Sequence, residues 1–295
     1  MQKVGYIGLG LMGAPMARNL MKAGYELVVH NRSQAIVDEL VAEGATAATA
    51  PQEVAAQVDV VFTNLPDSPD VEKVALGENG ISAGAHEGLI FIDNSTIKPE
   101  TARTIAEKLA VVGVQALDAP VSGGDIGAKA GTLTIMVGGP EEAFQAALPL
   151  LEAMGKTITY IGASGAGQVT KCANQIVVAA QMTGMAEALV LAQKSGVDAE
   201  RVVAAISQGA AQCWALDTKP AKIFSRDLGP GFKAHMQHKD LNIVLDTGNA
   251  YGVPLPITAT AQQLYRAMLA AGNGDLDNSA VITVLEALAD IVVGE

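Results

Sequence analysis

Lys171 is the residue whose sequence context most favours chemistry. From Val169 to Gln193 the only other charged residue is Glu187, and lysine is rarely buried without a partner or a function. Asn174 follows at i+3 and therefore shares a helical face with Lys171. A partly buried lysine is suited to acid–base catalysis, and its ammonium group can donate a proton while a carbonyl group is reduced. The alternative is an ordinary first-turn lysine that points into water, and the pattern alone leaves both interpretations open.

Further polar groups follow predicted strands or lie in polar clusters. The turn Ser122-Gly123-Gly124 could bind a carboxylate through its backbone N–H groups and the Ser122 hydroxyl, although its pattern alone slightly favours a structural turn. Ser95 and Thr96 also follow a strand, where their hydroxyls could face a bound ligand. Lys239 could contact an anionic group, and Asp240 could orient it.

The elements that must position these groups begin at the N-terminus. The apolar run Val4–Ile7 predicts a buried strand, and an amphipathic helix is predicted from Leu11 to Lys22. The pattern G-x-G-x-x-G lies between them, and in this strand–turn–helix context it indicates dinucleotide binding, with the phosphates at the helix start. A glycine-rich turn in another α/β protein is the alternative. The expected cofactor contacts in this loop are Gly8, Leu9, Gly10, Leu11, Met12 and Gly13.

Strand-like and helix-like stretches alternate as far as about residue 160, which predicts an α/β fold with a mostly parallel, doubly wound sheet. Ligands of such sheets bind beyond the carboxyl ends of the strands, where Leu65 and Pro66 also lie. After the glycine-rich stretch at 162–167 the strand signals mostly stop and helical patterns dominate. We therefore predict a dinucleotide-binding domain over residues 1–162 and an all-helical domain over residues 163–295.

The end of the second predicted strand bears on the choice of cofactor. NAD sites usually place an acidic residue there to bond the ribose 2′-hydroxyl, whereas this chain has Asn31, Arg32 and Ser33. Arg32 could stack on adenine and pair with a 2′-phosphate, with neutral hydrogen bonds from Asn31 and Ser33. This segment favours NADP, and NAD stays open. A solvated arginine on a loop is the alternative.

Composition excludes several classes of function. The net charge of −12 over 295 residues argues against general binding to nucleic acids or anionic membranes. Two cysteines do not form a disulfide framework, and no signal peptide or run of 18 apolar residues is evident, so we expect a cytoplasmic protein that does not span a membrane. His235 and His238 lack third and fourth ligands, so no metal is expected.

Four motifs, taken together and in order, resemble the β-hydroxyacid dehydrogenases over essentially the whole chain. They are GLGLMGAPMARN from Gly8, DAPVSGG from Asp118, GQVTKCANQ from Gly167 and KDL from Lys239. The resemblance implies a Rossmann-like domain followed by an all-helical domain, often in dimers or tetramers. It implies that Lys171 is the proton donor in reduction and that Ser122, Gly123, Gly124 and Asn174 bind substrate. It also implies that Lys239 lies near both the nicotinamide and the substrate.

The resemblance implies hydride transfer between a nicotinamide cofactor and a small anionic 3-hydroxy acid or semialdehyde. The stretch at 75–81 and the spacing from Gly209 to Lys239 favour tartronate semialdehyde, whereas Cys213-Trp214 is more typical of members that use 3-hydroxyisobutyrate. Succinate semialdehyde and glyoxylate are further alternatives. A non-catalytic NADP-binding sensor is a rival of another class, which would not need Lys171 and Asn174. The apolar second-domain helices suggest a homodimer or homotetramer.

Overall fold

The computed structural model describes residues 3–294. The chain divides into two compact units, the first ending at Lys171 and the second beginning at Cys172. This division falls within a long helix, α9 (Ala166–Lys194). The boundary expected from sequence near residue 163 stays a prediction.

Unit 1 alternates strands and helices, as the sequence predicts. Its strands are β1 (Lys3–Ile7), β2 (Glu26–His30), β3 (Thr46–Ala47), β4 (Val60–Thr63), β5 (Ile90–Asp93), β6 (Gln115–Asp118), β7 (Val121–Ser122), β8 (Leu133–Gly138) and β9 (Gly155–Gly162). Its helices before α9 are α1 (Gly13–Lys22), α2 (Gln34–Ala42), α3 (Pro51–Ala55), α4 (Ser68–Leu76), α5 (Ile81–Gly84), α6 (Pro99–Ala110), α7 (Gly124–Ala130) and α8 (Glu141–Glu152).

The sheet of unit 1 confirms the predicted fold class. Its order is β3-β2-β1-β4-β5-β6-β8-β7, with β9 paired to the far side of β8, and the strands from β3 to β6 are parallel. Strand β8 runs antiparallel to β6 and β7. The strand order reverses between β1 and β4, and dinucleotides bind at this switch point in sheets of this kind. The chain turns that follow β1, β2, β4 and β5 therefore meet at one edge.

Two apolar clusters cover the two faces of the sheet, because alternate strand residues point to opposite sides. Tyr6 packs in one cluster with residues of α1, α2, α7 and α8. Ile7, its neighbour on β1, packs in the other with residues of α3, α4, α5 and α6. Burial of both faces explains why the central strands read as continuous apolar runs rather than as an alternating pattern.

Three strands of unit 1 differ from the sequence prediction. Strands β3 and β7 have two residues each, too few to produce a pattern. Strand β9 lies beside β8, and most of its residues are partly or fully exposed. Its sequence does alternate polar and apolar or aromatic residues from Thr157 to Tyr160, so a short period-two signal was present and the prediction missed it.

Unit 2 is helical, as predicted. After the part of α9 that belongs to it, its helices are α10 (Ala199–Ile206), α11 (Trp214–Thr218), α12 (Pro220–Phe224), α13 (Ala234–Ala250), α14 (Pro256–Ala270) and α15 (Ile282–Ala289), with a 3₁₀ helix at Asn278–Val281. Its main core contains Met182 and Leu189 of α9 with Leu241, Tyr265 and Ile282. Among the described residues of this unit the only β pairing is one isolated bridge.

Helix α9 is long and apolar enough to cross a membrane when judged by length and composition alone. Core helices of soluble proteins pass the same test. Within α9, the polar residues Gln168, Lys171 and Gln175 are buried. Each of them forms hydrogen bonds within the folded protein, which are described below.

Candidate active site

The glycine loop between β1 and α1 has the shape that a pyrophosphate requires. Gly8 has a φ of +95°, and a Cβ there would collide with the carbonyl oxygen of Asn64. A Cβ at Gly13 would collide with the carbonyl oxygen of Gly8, so only glycine lets the helix start this close to the turn. A Cβ at Gly10 would have no heavy atom within 4 Å. Gly10 therefore borders open space rather than protein.

Some backbone amides of this loop donate hydrogen bonds within the protein, and others are open to a ligand. The Gly8 amide donates to His30, and the Leu9 amide donates to the Asn31 side chain. Leu11 and Met12 precede the first residue of α1, and within residues 3–294 their amides donate to no other group. The first amides of a helix have no partner within the helix, and they carry partial positive charge. The open amides and the space at Gly10 fit a dinucleotide pyrophosphate.

The segment after β2 has one engaged side chain and one open one. The Asn31 side chain accepts a hydrogen bond from the Leu9 amide at 3.0 Å and donates to the Ser33 carbonyl at 3.1 Å. Asn31 therefore ties this segment to the glycine loop. The Arg32 side chain is 84% exposed, and its guanidinium lies 3.8 Å from a carboxylate oxygen of Asp70 on α4. The exposed guanidinium can turn toward an anionic ligand.

The turns after β4 and β5 are joined by a buried side chain. Ser95 is 2% exposed, and its hydroxyl accepts from the Leu65 amide at 2.8 Å while bonding to the Asp93 carboxylate. The structure thus places the Ser95 hydroxyl inside the turn and not on a ligand-facing surface. Thr96 is partly exposed and Pro66 is exposed at the same edge. These two residues, with Leu65, keep the positions that the prediction gave them beyond the strand ends.

The turn Ser122–Gly124 joins β7 to α7. Gly123 and Gly124 have φ values of +130° and +63°, and a Cβ at Gly124 would meet no atom within 4 Å. The Ser122 hydroxyl is partly exposed and has no hydrogen-bond partner within the described part of the chain. This turn therefore offers a hydroxyl and an open backbone, as carboxylate recognition requires.

Lys171 is not a solvated lysine. It lies in the second turn of α9 and is 7% exposed, and its ammonium nitrogen donates to the carbonyl oxygen of Val121 at 2.8 Å. Val121 directly precedes Ser122. The structure therefore brings together two groups that the sequence places 50 residues apart, and it decides between the two interpretations of Lys171 in favour of the buried one.

Two residues of unit 1 anchor the start of α9. Gln168 is fully buried; its side chain accepts from the Ile97 amide at 3.1 Å and donates to the Ser95 carbonyl at 2.8 Å. The Asp118 carboxylate accepts from the amides of Gly165 and Gln168. These contacts connect the ends of β5 and β6 to the helix that carries Lys171.

In unit 2 the predicted residues Asn174, Lys239 and Asp240 belong to a chain of polar contacts. Asn174 donates to Gln175 at 2.7 Å, and Gln175 donates to one oxygen of Asp240 at 2.6 Å. The ammonium of Lys239 lies 2.9 Å from the other Asp240 oxygen. Asp240, which is 2% exposed, thus contacts Lys239 as expected and also reaches Asn174 through Gln175, a link that the sequence did not reveal.

A small pocket in unit 1 is lined in part by Asp93 and Asp118, the last residues of β5 and β6. Its room for about one water molecule is too small for a substrate. Within residues 3–294 no group of three or more His, Cys, Asp or Glu side chains is arranged to hold a metal ion.

Sequence reasoning missed the roles of Asp118, Gln168 and Gln175, although all three lie inside the quoted motifs. Each acts through a partner distant in sequence; Asp118 reaches an amide 50 residues away. The apolar surroundings of Gln168 and Gln175 were a usable signal, because a buried amide side chain must find hydrogen-bond partners.

Two family models match the chain. The model described as the NAD binding domain of 6-phosphogluconate dehydrogenase matches residues 3–162, and that described as the NAD-binding of NADP-dependent 3-hydroxyisobutyrate dehydrogenase matches residues 165–285. Nearly the whole chain therefore matches nicotinamide-dependent dehydrogenases.

Individual proteins agree over the full length. The 2-hydroxy-3-oxopropionate reductase of Escherichia coli (strain K12) is 42% identical over 98% of both chains. The 2-(hydroxymethyl)glutarate dehydrogenase of Eubacterium barkeri is 41% identical, covering 99% of this chain and 97% of the other. Among solved structures, the 3-hydroxyisobutyrate dehydrogenase of Mycobacterium tuberculosis with L-serine has a TM-score of 0.89 at 37% identity, covering 97% of this chain and 99% of the other.

Proposed function

Because the chain belongs to the β-hydroxyacid dehydrogenase family, we propose that it interconverts tartronate semialdehyde (2-hydroxy-3-oxopropionate) and the corresponding 3-hydroxy acid with NADP(H). It is an NAD(P)-dependent oxidoreductase that acts on a CH–OH group. The nicotinamide, when bound, supplies or accepts the hydride at the substrate carbon.

The burial of Lys171 beside the Ser122–Gly124 turn supports this proposal most strongly. In the reducing direction the Lys171 ammonium donates a proton to the carbonyl oxygen of the semialdehyde, and in oxidation the neutral amine takes that proton back. The Val121 carbonyl holds the ammonium until the substrate oxygen is present. The Ser122 hydroxyl and the backbone of Gly123 and Gly124 bind the substrate carboxylate.

The remaining assignments complete the proposal. Asn174 and Lys239 contact substrate, and Lys239 also contacts the cofactor. The loop Gly8–Gly13 binds the pyrophosphate, and the segments at 65–66 and 95–96 line the nicotinamide side. Ser95 contributes there by shaping its turn, because its hydroxyl is already engaged.

The preference for NADP rests on Arg32. Its exposed guanidinium can pair with a 2′-phosphate in a bidentate manner. No acidic side chain occupies the segment 30–33 to bond a ribose 2′-hydroxyl. NAD is the alternative cofactor.

The substrate preference rests on the motif details and on the relative named for 2-hydroxy-3-oxopropionate. The relative named for 2-(hydroxymethyl)glutarate is only one percentage point lower in identity, so identity alone does not select the substrate. Cys213-Trp214 favours 3-hydroxyisobutyrate as the second candidate. Succinate semialdehyde and glyoxylate remain further candidates, and a non-catalytic NADP sensor is the rival outside catalysis.

The setting of the reaction is also part of the proposal. Within residues 3–294 neither Cys172 nor Cys213 forms a disulfide, which suits a reducing cytoplasm. Exposed apolar residues of α9, such as Val177 and Leu191, favour a homodimer or homotetramer. Sedimentation that finds only monomer at micromolar concentration would contradict the oligomer.

The test is a matrix of initial rates with two cofactors and four substrates. NADPH and NADH are each combined with tartronate semialdehyde, succinate semialdehyde, glyoxylate and, in the oxidative direction, 3-hydroxyisobutyrate. The proposal expects the highest kcat/KM with NADPH and tartronate semialdehyde. Faster turnover with NADH would overturn the cofactor assignment alone, and a faster alternative substrate would overturn the substrate assignment alone. Tight NADPH binding without turnover on any of them would favour the sensor.

A further inference from the structure

The carboxylate of Asp118 caps the start of the helix that carries Lys171. Asp118 ends β6 and is 4% exposed. One of its oxygens accepts from the Gly165 amide at 2.7 Å, and the other accepts from the Gln168 amide at 2.8 Å. These amides lie just before and within the first turn of α9, where a helix leaves its N–H groups without internal partners. A carboxylate here also stabilises the positive end of the helix dipole.

A second contact fixes the same helix to the same short segment. Val121 lies three residues after Asp118, and its carbonyl oxygen accepts the hydrogen bond from Lys171. The segment from Asp118 to Val121 therefore holds α9 both at its start and at its buried lysine. The two are in close contact, since a Cβ at Gly167 would lie 2.5 Å from the Asp118 carbonyl oxygen.

We propose that Asp118 is a positioning residue for proton transfer, which sets the rotation and axial position of α9 so that the Lys171 ammonium stands at the Val121 carbonyl, beside the substrate turn. This role rests on the proposed function of Lys171 as proton donor. Asp118 does not touch substrate in this proposal and acts through the helix. Small displacements of a reacting group have large effects on rate, on the order of 10²-fold for about 1 Å.

Because Asp118 is ionisable, its contacts with the start of α9 depend on pH. Burial raises the pKa of Asp118 to about 6, although the hydrogen bonds from Gly165 and Gln168 oppose that rise; the nearby charge of Asp93, at the end of β5, raises it further. Gly138 on β8 packs against the same carboxylate. At neutral pH the group is ionised and accepts from both amides. As the pH falls through about 6 it gains a proton and loses one acceptor position.

The main test is Asp118→Asn in the full-length enzyme. The amide NH₂ would face one of the two backbone N–H groups, so the start of α9 would lose a contact while the residue volume stays nearly constant. The expected result is a fall in kcat on the order of 10- to 10²-fold, with the KM and the dissociation constant for NADPH unchanged within about twofold. A variant that keeps wild-type kcat would overturn the proposal.

Asp198→Ala is the control for the loss of a helix cap, because both amides that Asp198 caps bond to one carboxylate oxygen, which an asparagine could replace. Asp198 also caps a helix through two backbone amides, those of Glu200 and Arg201, but α10 carries none of the proposed site residues. The control should leave kcat unchanged. An equal loss of kcat in both variants would show a general effect of cap loss and would overturn the specific role of Asp118.

The pH profile separates positioning from a merely structural role. The kcat of the wild type should fall on the acid side with a midpoint near 6, and Asp118→Asn should lack that limb. The same limb in both proteins would overturn the proposal. If Asp118→Asn does not fold, Asp118→Glu replaces it, because it keeps the carboxylate but displaces its oxygens from the amides of Gly165 and Gln168. It should also lower kcat more than KM, and an unchanged kcat there would overturn the proposal.

The activity of the wild type shows whether a failed test contradicts the proposed function or only the positioning role of Asp118. A wild type without turnover on any semialdehyde would contradict the proposed function and this role with it. An active wild type beside a fully active Asp118→Asn variant would contradict only the positioning role.

Discussion

Lys171 in unit 1 and Lys219 in unit 2 are buried to nearly the same extent, at 7% and 6% exposure, yet their contacts differ in kind. The Lys219 ammonium lies 2.8 and 3.1 Å from the two carboxylate oxygens of Asp277 and 5.3 Å from the centre of the Trp214 ring. The Lys171 ammonium donates to a neutral backbone carbonyl beside the proposed substrate turn. Burial alone therefore does not distinguish the lysine that we propose as proton donor from a structural one; the position of Lys171 beside the proposed substrate turn is what separates the two.

Asp277 is a structural partner of Lys219, because several other groups of unit 2 also donate hydrogen bonds to its carboxylate. Besides Lys219, its carboxylate accepts from the amides of Gly231, Phe232 and Ser279 and from the Ser279 hydroxyl. Burial by itself would raise the pKa of Asp277, but the charge and hydrogen bond of Lys219, with the bonds from Ser279, outweigh it and leave the pKa below its usual value. The pair thus fixes three separate segments of unit 2, and its groups are occupied by the fold.

Among the substitutions that test the contrast between the two lysines, the one at Lys171 should have the largest effect on kcat. Lys171→Met should lower kcat by between about 10² and 10⁴, because no proton donor remains, while NADPH binding and the thermal midpoint change little. Steady-state kinetics with tartronate semialdehyde and calorimetric melting measure both. Near-normal turnover would contradict the assigned role.

Lys219→Met should give the opposite result. Removing one partner of a buried ion pair leaves an uncompensated charge and costs about 3–5 kcal/mol, so the free energy of unfolding should fall by that amount while kcat per folded molecule is retained. Urea unfolding at pH 7 with parallel activity assays tests this.

The double variant Lys219→Met with Asp277→Leu is the control for the ion pair. It should regain part of the lost stability, because no unpaired charge is left buried. It should not regain all of it, since the backbone amides that Asp277 satisfies lose their acceptor. A single Lys219→Met variant as stable as the wild type would remove the contrast between the two lysines.

The sequence predicted one of these lysines and not the other for a physical reason. Lys171 follows a glycine boundary on an otherwise apolar helix, so local pattern alone singles it out. Lys219 acquires its role from Asp277, 58 residues later, and pairing at that distance depends on how α11, α12 and the 3₁₀ helix pack. The same limit applies to Asp118, whose carboxylate caps a helix that begins 48 residues later.

The fold was more predictable than the site. Parallel strands buried on both faces give apolar runs, so β1, predicted at Val4–Ile7, was placed from sequence within one residue of its observed range. The glycine turn was predicted because steric demands at Gly8 and Gly13 permit no other residue type. Hydrogen bonding of the Ser95 hydroxyl was not predictable, because strand-end hydroxyls can turn inward or outward and only the packed neighbours decide.

Arg32 extends the comparison to an exposed cation. With 84% of its side chain in solvent and Asp70 at 3.8 Å, it contributes little to the fold and is free to bind a ligand. Arg32→Gln should lower kcat/KM for NADPH by about tenfold, the low end for a hydrogen bond to a charged group, and leave NADH unchanged. Arg201→Gln, another exposed arginine with a carboxylate neighbour, is the control. An equal loss with both cofactors would contradict 2′-phosphate recognition.

The smallest effect is expected at Asp70, where a substitution tests whether the contact between Asp70 and Arg32 influences the choice of cofactor. A carboxylate near Arg32 competes weakly with a 2′-phosphate, since exposed ion pairs contribute little. Asp70→Asn should therefore lower the KM for NADPH by about threefold or less without changing that for NADH, and the gain should shrink at high salt because screening weakens both interactions. Glu72→Gln is the matched control, because Glu72 lies on the same helix with a cation at the same distance of 3.8 Å, namely Lys108. If both variants change the KM for NADPH equally, the effect reflects the general field of α4, and the specific contact between Asp70 and Arg32 plays no part in cofactor choice.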